Sequence, residues 1–178
     1  MCGICGTLAF DGQPADEGLL RRMTARLRHR GPDEMGVYTD GPLGFGHARL
    51  NIIDLAGGRQ PMSHRQGSLW ITFNGEIFNY VELRRELESR GHRFATKSDT
   101  EVILHLYEEQ GEDCVQSMNG QWAFAIWDTS KRKLFISRDR MGIRPVFYSI
   151  AGQTFIFGSE IKALMAHPAL KPGNERTN

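Results

Sequence analysis

The chain opens Met1-Cys2-Gly3-Ile4-Cys5-Gly6-Thr7-Leu8-Ala9-Phe10. Residues 3–10 are apolar and compatible with a short strand that stops at the turn pair Asp11-Gly12. A core strand this close to the first residue is notable, because buried strands usually follow a loop. If the initiator methionine is removed, Cys2 carries a thiol and a free α-amino group on adjacent carbons. An α-amine has an ordinary pKa of about 8, so a useful fraction is neutral near neutral pH and can accept the thiol proton, directly or through water. One residue then supplies nucleophile and base together. A nearby ammonium favours the reactive thiolate, and Gly3 lets a substrate approach the backbone. From position alone, the commoner outcome is a small buried cysteine with no chemistry. Cys2-x-x-Cys5 also offers a redox or metal reading. It lacks a second cysteine pair or a Cys/His partner motif, and an odd separation along a strand points the two thiols to opposite faces.

Outward from that strand, residues 16–29 read as a helix with Leu19, Leu20, Met23 and Leu27 on one face. Arg21, Arg22, Arg26 and Arg28 accompany it, as a phosphate site or, more in keeping with a neutral chain, as a solvated face. Gly31-Pro32 breaks the helix. Strands are expected at 37–38 and 43–50, around Asp40-Gly41-Pro42, and at 69–73, ending at Asn74-Gly75. Residues 80–90 form a helix closed by Gly91. Ser98-Asp99-Thr100-Glu101 fits the S-x-x-E capping box of a helix that ends before Gly111. Strands follow at 122–127, 133–137, 146–150 and 154–157, close enough for antiparallel hairpins. A last helix is expected at 159–166 and a polar, Pro/Gly-bearing end at 168–178. Helices between two strand-rich parts point to stacked α+β layers.

Composition bounds the function. Of 178 residues, 40% are hydrophobic and 24% charged, which excludes a disordered or collagen-like chain and suits one domain. A formal net charge of +1 argues against a dedicated nucleic-acid or acidic-membrane binder. Three cysteines cannot build a disulfide framework, and the odd count leaves a free thiol, so a reducing, cytoplasmic setting is expected. No apolar run is long enough to span a membrane, and the N-terminus has no signal-peptide pattern.

Six segments together carry a resemblance. Met1-Cys2-Gly3-Ile4 is similar to the opening of glutamine amidotransferases with an N-terminal nucleophile. Arg28-His29-Arg30-Gly31-Pro32-Asp33, residues 46–55 (GHARLNIIDL), residues 73–80 (FNGEIFNY), residues 98–103 (SDTEVI) and residues 138–145 (RDRMGIRP) resemble, in order, the glutaminase domain of glutamine-hydrolysing asparagine synthetases. The likeness covers residues 1–167, with 168–178 left as linker or truncated end. It implies a four-layer αββα sandwich of two mainly antiparallel sheets between helices. It also implies hydrolysis of L-glutamine through a Cys2 thioester, with ammonia passed to an ATP-dependent amidation such as asparagine synthesis.

The same resemblance assigns roles. Asn74, through its side-chain amide, and Gly75, through its backbone N–H, match the oxyanion hole that a poor electrophile such as a primary amide needs. Read alone, Asn74-Gly75 is a hairpin turn; the flanking Phe73 and Glu76 to Tyr80 reverse that reading. Arg49 matches the binder of the substrate α-carboxylate, a task suited to a planar guanidinium. Leu50, Asn51, Ile52 and Ile53 line the pocket. Glu76 and Asp99 match the acids that hold the α-ammonium, although Asp99 also suits the first turn of a helix on its own account. Arg30 and Gly31-Pro32-Asp33 shape a nearby loop, and residues 138–145 are structural or interfacial. No catalytic histidine and no metal ligand is assigned. The pyrophosphate-binding Ser-Gly-Gly-x-Asp-Ser signature of the synthetase part is absent, so no cofactor is expected in this chain, and ATP and magnesium belong to a synthetase domain or subunit. That domain or subunit and L-glutamine are the expected partners; a homodimer is compatible with the reading. The alternative is a stand-alone or silent amidotransferase-fold subunit serving another acceptor or acting as an interaction domain.

Overall fold

A computed structural model of the chain describes residues 1–52, 54, 57–64 and 67–170. Ile53 and the end of the polar tail, 171–178, lie outside the described residues.

Two antiparallel sheets stack face to face. The first has the order β2 (Glu34–Asp40), β3 (Leu43–Arg49), β1 (Gly3–Ala9), β9 (Thr154–Gly158), β8 (Phe147–Ala151). The second has the order β4 (Met62–His64), β5 (Leu69–Ile77), β6 (Gly120–Asp128), β7 (Lys133–Arg138). The opening strand therefore lies at the centre of its sheet, with Cys5 opposite Gly46 of β3 and Gly158 of β9. Alternation along β1 sorts its side chains. Ile4 faces the second sheet with Phe45, Phe157, Ala123, Ala125 and Trp127. Cys5 faces the other way, against Leu19, Met23 and Leu27 of the first helix region, its sulfur 3.4 Å from Thr24 Oγ1.

Helices α1 (Glu17–Ala25) and α5 (Ile161–Leu164) cover the outer face of the first sheet. Helices α2 (Tyr80–Ser89) and α3 (Asp99–Gln110) cover the outer face of the second, over Ile71, Phe73, Phe124 and Ile126. Three apolar layers thus lie between four layers of backbone, the expected αββα order. Trp127, Phe45, Phe124 and Phe157 are fully buried. Burial of a large apolar side chain contributes about 1.5–3 kcal/mol each. Among the described residues, no helix is long and apolar enough to cross a membrane.

Several local expectations change. Asn74-Gly75 is no turn: β5 continues through both to Ile77, paired along its length with β6. The pairing with β6 supplies ladder partners that outweigh the local turn preference of Asn-Gly. The helix expected at 16–29 ends at Ala25 and passes into tighter turns that keep Leu27 buried, and the one expected at 159–166 spans only Ile161–Leu164. Ser98 caps α3 by accepting from the Thr100 N–H, but Glu101 does not complete the box. Its carboxylate accepts instead from the N–H groups of Ala95 and Thr96. The basic run on α1 is a solvated face: Arg21 pairs with Glu17 and Arg22 with Asp16. Strand β4 and the short helix α4 (Cys114–Ser117) carry too few residues for a periodic signal.

Candidate active site

Both sheets contribute to one cleft, at the end where β1 begins. It is lined by Met1, Cys2, Leu50, Ile52, Phe73, Asn74, Gly75, Glu76, Ser98, Asp99, Thr100 and Arg144.

Cys2 is held from two directions. Its Sγ sits against the backbone of Leu50, 3.4 Å from the N and 3.6 Å from the O. Its carbonyl accepts from Arg30 Nε at 2.9 Å, and Arg30 Nη1 in turn meets Glu160 Oε1 at 2.9 Å. Burial raises the Cys2 thiol above its ordinary value, while the Leu50 N–H, the N-terminal ammonium and Arg49 oppose the rise. The Gly31-Pro32-Asp33 turn presses on the end of β3. The Asp33 N–H donates to Arg49 O, and Asp33 Oδ2 accepts from Asn51 N at 2.8 Å. That pins the Leu50–Ile52 stretch beside the thiol.

Opposite Cys2 stands β5. Thr72 Oγ1 meets His47 Nδ1 of β3 at 3.0 Å, so this face of β5 looks into the space between the sheets. Asn74, two residues on, shares that face. Its Nδ2 is buried and has no hydrogen-bond partner among the described residues. A buried donor left unpaired costs about 1–3 kcal/mol, a cost that persists where a ligand is to meet it.

Gly75 is exposed to the cleft for a reason of ladder geometry. Both backbone polar atoms of Trp122, its partner on β6, are taken by Asp139: the Asp139 N–H donates to Trp122 O at 2.8 Å, and Trp122 N donates to Asp139 Oδ2. Gly75 and Trp122 therefore form a non-hydrogen-bonded pair, and the Gly75 N–H points away from β6. Its neighbours on that edge are occupied. Phe73 N donates to Gln60 Oε1 at 2.7 Å and Ile77 N to Asp99 Oδ2 at 3.2 Å. The Gly75 N–H lies between them, beside the Asn74 amide. A side chain is also barred here, since a Cβ would lie 2.2 Å from Gln121 O and 2.8 Å from Trp122 Cα.

The acidic end of the cleft is Asp99 with Glu76. Asp99 is buried at the first turn of α3, and burial pushes its carboxyl up to about 6, with Glu76 adding to the rise. Hydrogen bonds from Ile77 N, Thr100 N and Ser98 oppose it. Glu76 is exposed at the mouth.

The remaining expected residues divide. Leu50 and Ile52 line the cleft; Asn51 stands beside it with its backbone on Asp33. Arg49 is buried below, its Nη1 on Glu34 Oε2 at 3.2 Å and its Nη2 on Asp54 O at 2.7 Å. Arg144, expected to be structural or interfacial, lines the cleft: its Nη1 meets Met1 Sδ and its Nε is buried without a hydrogen-bond partner among the described residues. Ser98, Thr100 and Phe73 were also missed as lining residues; adjacency to Asp99 and Asn74 was the available signal. His47 lies between the sheets, and burial, with Arg49, lowers it to about 3, so it is neutral.

The sequence matches the glutamine amidotransferase domain family over residues 1–178. The chain belongs to that family. This amidotransferase domain is 48% identical to asparagine synthetase [glutamine-hydrolyzing] 3 of Bacillus subtilis, over 99% of this chain and 29% of that protein. It is 38% identical to a putative asparagine synthetase [glutamine-hydrolyzing] 2 of Methanocaldococcus jannaschii, over 100% of this chain and 37% of that one. The domain thus spans 23–37% of the length of the curated relatives it matches. Among solved structures, glutamine phosphoribosylpyrophosphate amidotransferase from B. subtilis superposes with a TM-score of 0.76 at 23% identity, over 93% of this chain and 43% of that one. The amidotransferase domain shares the fold of that structure.

Proposed function

We propose that this domain hydrolyses L-glutamine to L-glutamate and ammonia and delivers the ammonia to an ATP-dependent amidation, as in asparagine synthesis from aspartate. The observation that carries this reading is that Cys2 lines one cleft with Asn74, whose buried side-chain amide has no hydrogen-bond partner among the described residues, and with Gly75, whose N–H points away from β6.

Met1 precedes Cys2 here, so the Cys2 nitrogen is a peptide N–H. Removal of Met1 turns it into an α-amine, which takes the thiol proton. The thiolate attacks the side-chain amide carbon of glutamine, and the oxygen gains charge against Asn74 and Gly75. The protonated amine gives its proton to the leaving nitrogen, ammonia departs, and a Cys2 γ-glutamyl thioester remains. Water, deprotonated by the same amine, releases glutamate and restores the thiol. Asp99 and Glu76 receive the substrate α-ammonium. Arg49, with the backbone of Leu50, Asn51, Ile52 and Ile53, receives the α-carboxylate; Arg49 must then exchange part of its contact with Glu34. The amidation itself, with its ATP and magnesium, is assigned to a synthetase domain or subunit.

The test is intact-mass analysis after exposure to an electrophilic glutamine analogue, alongside a glutamate-release assay. The expected result is loss of Met1, one adduct on Cys2, and no turnover in Cys2→Ala or behind a non-cleavable N-terminal extension. Full turnover with the extension in place rejects the mechanism.

A further inference from the structure

On the outer face of the second sheet, far along α3 from its capped end, three imidazoles and a carboxylate converge. His105 of α3 is fully buried, with the rings of His64, His92 and Phe94 around it at centroid distances of 4.2, 4.8 and 4.1 Å. His64 comes from β4 and His92 from the segment after α2. His92 is set there by the helix end. Gly91, at φ +96°, donates its N–H to Glu88 O, and the His92 N–H reaches back to Leu87 O at 3.0 Å. That paired closure of the last turn fixes the direction in which His92 leaves the helix.

The donor atoms face one another. His92 Nδ1 lies 2.7 Å from His105 Nδ1. Glu108 Oε2 lies 2.9 Å from His64 Nε2, 3.6 Å from His92 Nδ1 and 4.0 Å from His105 Nδ1. The His64, His105 and Glu108 ligand atoms all fall within 4.8 Å of one another. Two imidazole lone pairs cannot meet at such a distance unless a proton or a cation stands between them. The far nitrogens decide what can. His92 Nε2 is on Glu109 Oε1 at 2.9 Å, and His105 Nε2, buried and without a hydrogen-bond partner among the described residues, faces Glu101 Oε1 at 3.8 Å. A carboxylate behind the His92 and His105 rings favours the proton on Nε2 and leaves their Nδ1 atoms to bind, the outer arrangement that orients metal-bound histidines.

We infer that His64, His92, His105 and Glu108 form a binding site for a divalent transition metal of the zinc type, separate from the glutamine cleft. Three imidazoles and one carboxylate suit zinc's preference for four mixed N/O ligands at about 2.0–2.2 Å. Ligands at those lengths in a tetrahedron stand about 3.3 Å apart. The observed contacts bracket that value, so small ring rotations suffice. The bound metal would tie β4 and the end of α2 to α3, three elements distant in the chain.

The experiment uses Cys2→Ala protein, so that the cleft thiol cannot contribute, after dialysis against chelator. Zinc alone is titrated by calorimetry, and thermal unfolding is followed with and without it. The expected result is one zinc per chain, a raised Tm, and a loss of affinity of at least tenfold in both His92→Gln and Glu108→Gln, which change partly exposed side chains. With cobalt as probe, the visible spectrum should lack a thiolate charge-transfer band. No binding by the parent protein overturns the site, as does binding unchanged in both variants. So does a thiolate band, which would place the metal on Cys5 or Cys114. Stability that depends on pH at this cluster while zinc has no effect means that a shared proton occupies it, and this too overturns the inference.

Discussion

Arg30 donates from Nε to the carbonyl oxygen of Cys2 at 2.9 Å, with Glu160 bonded to the other side of the same guanidinium. Cys2 is therefore held through its carbonyl oxygen, a contact that uses neither its sulfur nor its nitrogen. Under the proposed mechanism, Arg30 would act as a positioning residue. In Arg30→Met, with the stem length kept, kcat should fall while the KM for glutamine changes little, and labelling of Cys2 should slow in parallel. An unchanged labelling rate would refute the positioning role.

Glu160 gives the same assembly a pH signature. Its partial burial works against ionisation, but hydrogen bonds from Arg30, Lys162 and His29 outweigh this and hold it at about 2, below the ordinary 4.5. A depressed carboxyl contributes stability above its unfolded value and loses it as pH falls. Denaturation midpoints of the parent should drop between pH 4.5 and 2 more steeply than those of Glu160→Gln. Parallel curves would show that the contact is screened.

Asp99 has the opposite sign. Its folded value of about 6 lies above the ordinary 3.8, so this group favours the folded state at low pH and opposes it increasingly as pH rises from about 4 to 6. Asp99→Asn should therefore be more stable than the parent at pH 7, by about 1–3 kcal/mol, and similar to it at pH 4. The same variant should bind glutamine at least tenfold more weakly. In the parent, KM for glutamine should climb as pH falls through about 6. Urea titrations at the two pH values and calorimetry with glutamine check both halves.

Asn74→Ala separates function from folding. Nδ2 has no partner to lose among the described residues, so stability should stay within about 1 kcal/mol of the parent. The rate of thioester formation should fall by about 10²–10³, the usual effect of removing one oxyanion donor. Rapid-quench measurement of the first turnover distinguishes this from slower deacylation.

Gly75→Ala does not separate them. The new methyl would strike Gln121 O and Trp122 Cα, so the β5–β6 pairing must open. A loss of about 1–3 kcal/mol or more is expected, together with loss of turnover, read by thermal unfolding and glutamate release on the same sample.

Much of this was legible from residues alone. The short apolar run of residues 3–10 marked a core strand, and Ser98 announced the start of α3. The odd spacing of Cys2 and Cys5 anticipated the split that sends Cys5 under α1. Asn74-Gly75 was misread locally because turn preference is a property of four residues, whereas the ladder with β6 is made by partners some fifty positions away. The edge geometry that frees the Gly75 N–H depends on Asp139 capturing the backbone of Trp122, which no spacing rule encodes. The histidine cluster was invisible for the same reason: His64, His92 and His105 share no short motif. Arg49 was picked out by resemblance, yet its engagement with Glu34 depends on the pairing of β2 with β3.

The opening strand is bonded to the closing one: Ile4 N meets Ser159 Oγ at 3.0 Å, and Ser159 N returns to Ile4 O at 2.8 Å, next to the Glu160 that completes the grip on Arg30. During synthesis the first residues thus wait for the last hairpin. A nascent chain still tethered to the ribosome before residue 160 emerges holds Cys2 beside an unclosed sheet edge, so the Cys2 cleft is among the last features of the domain to form.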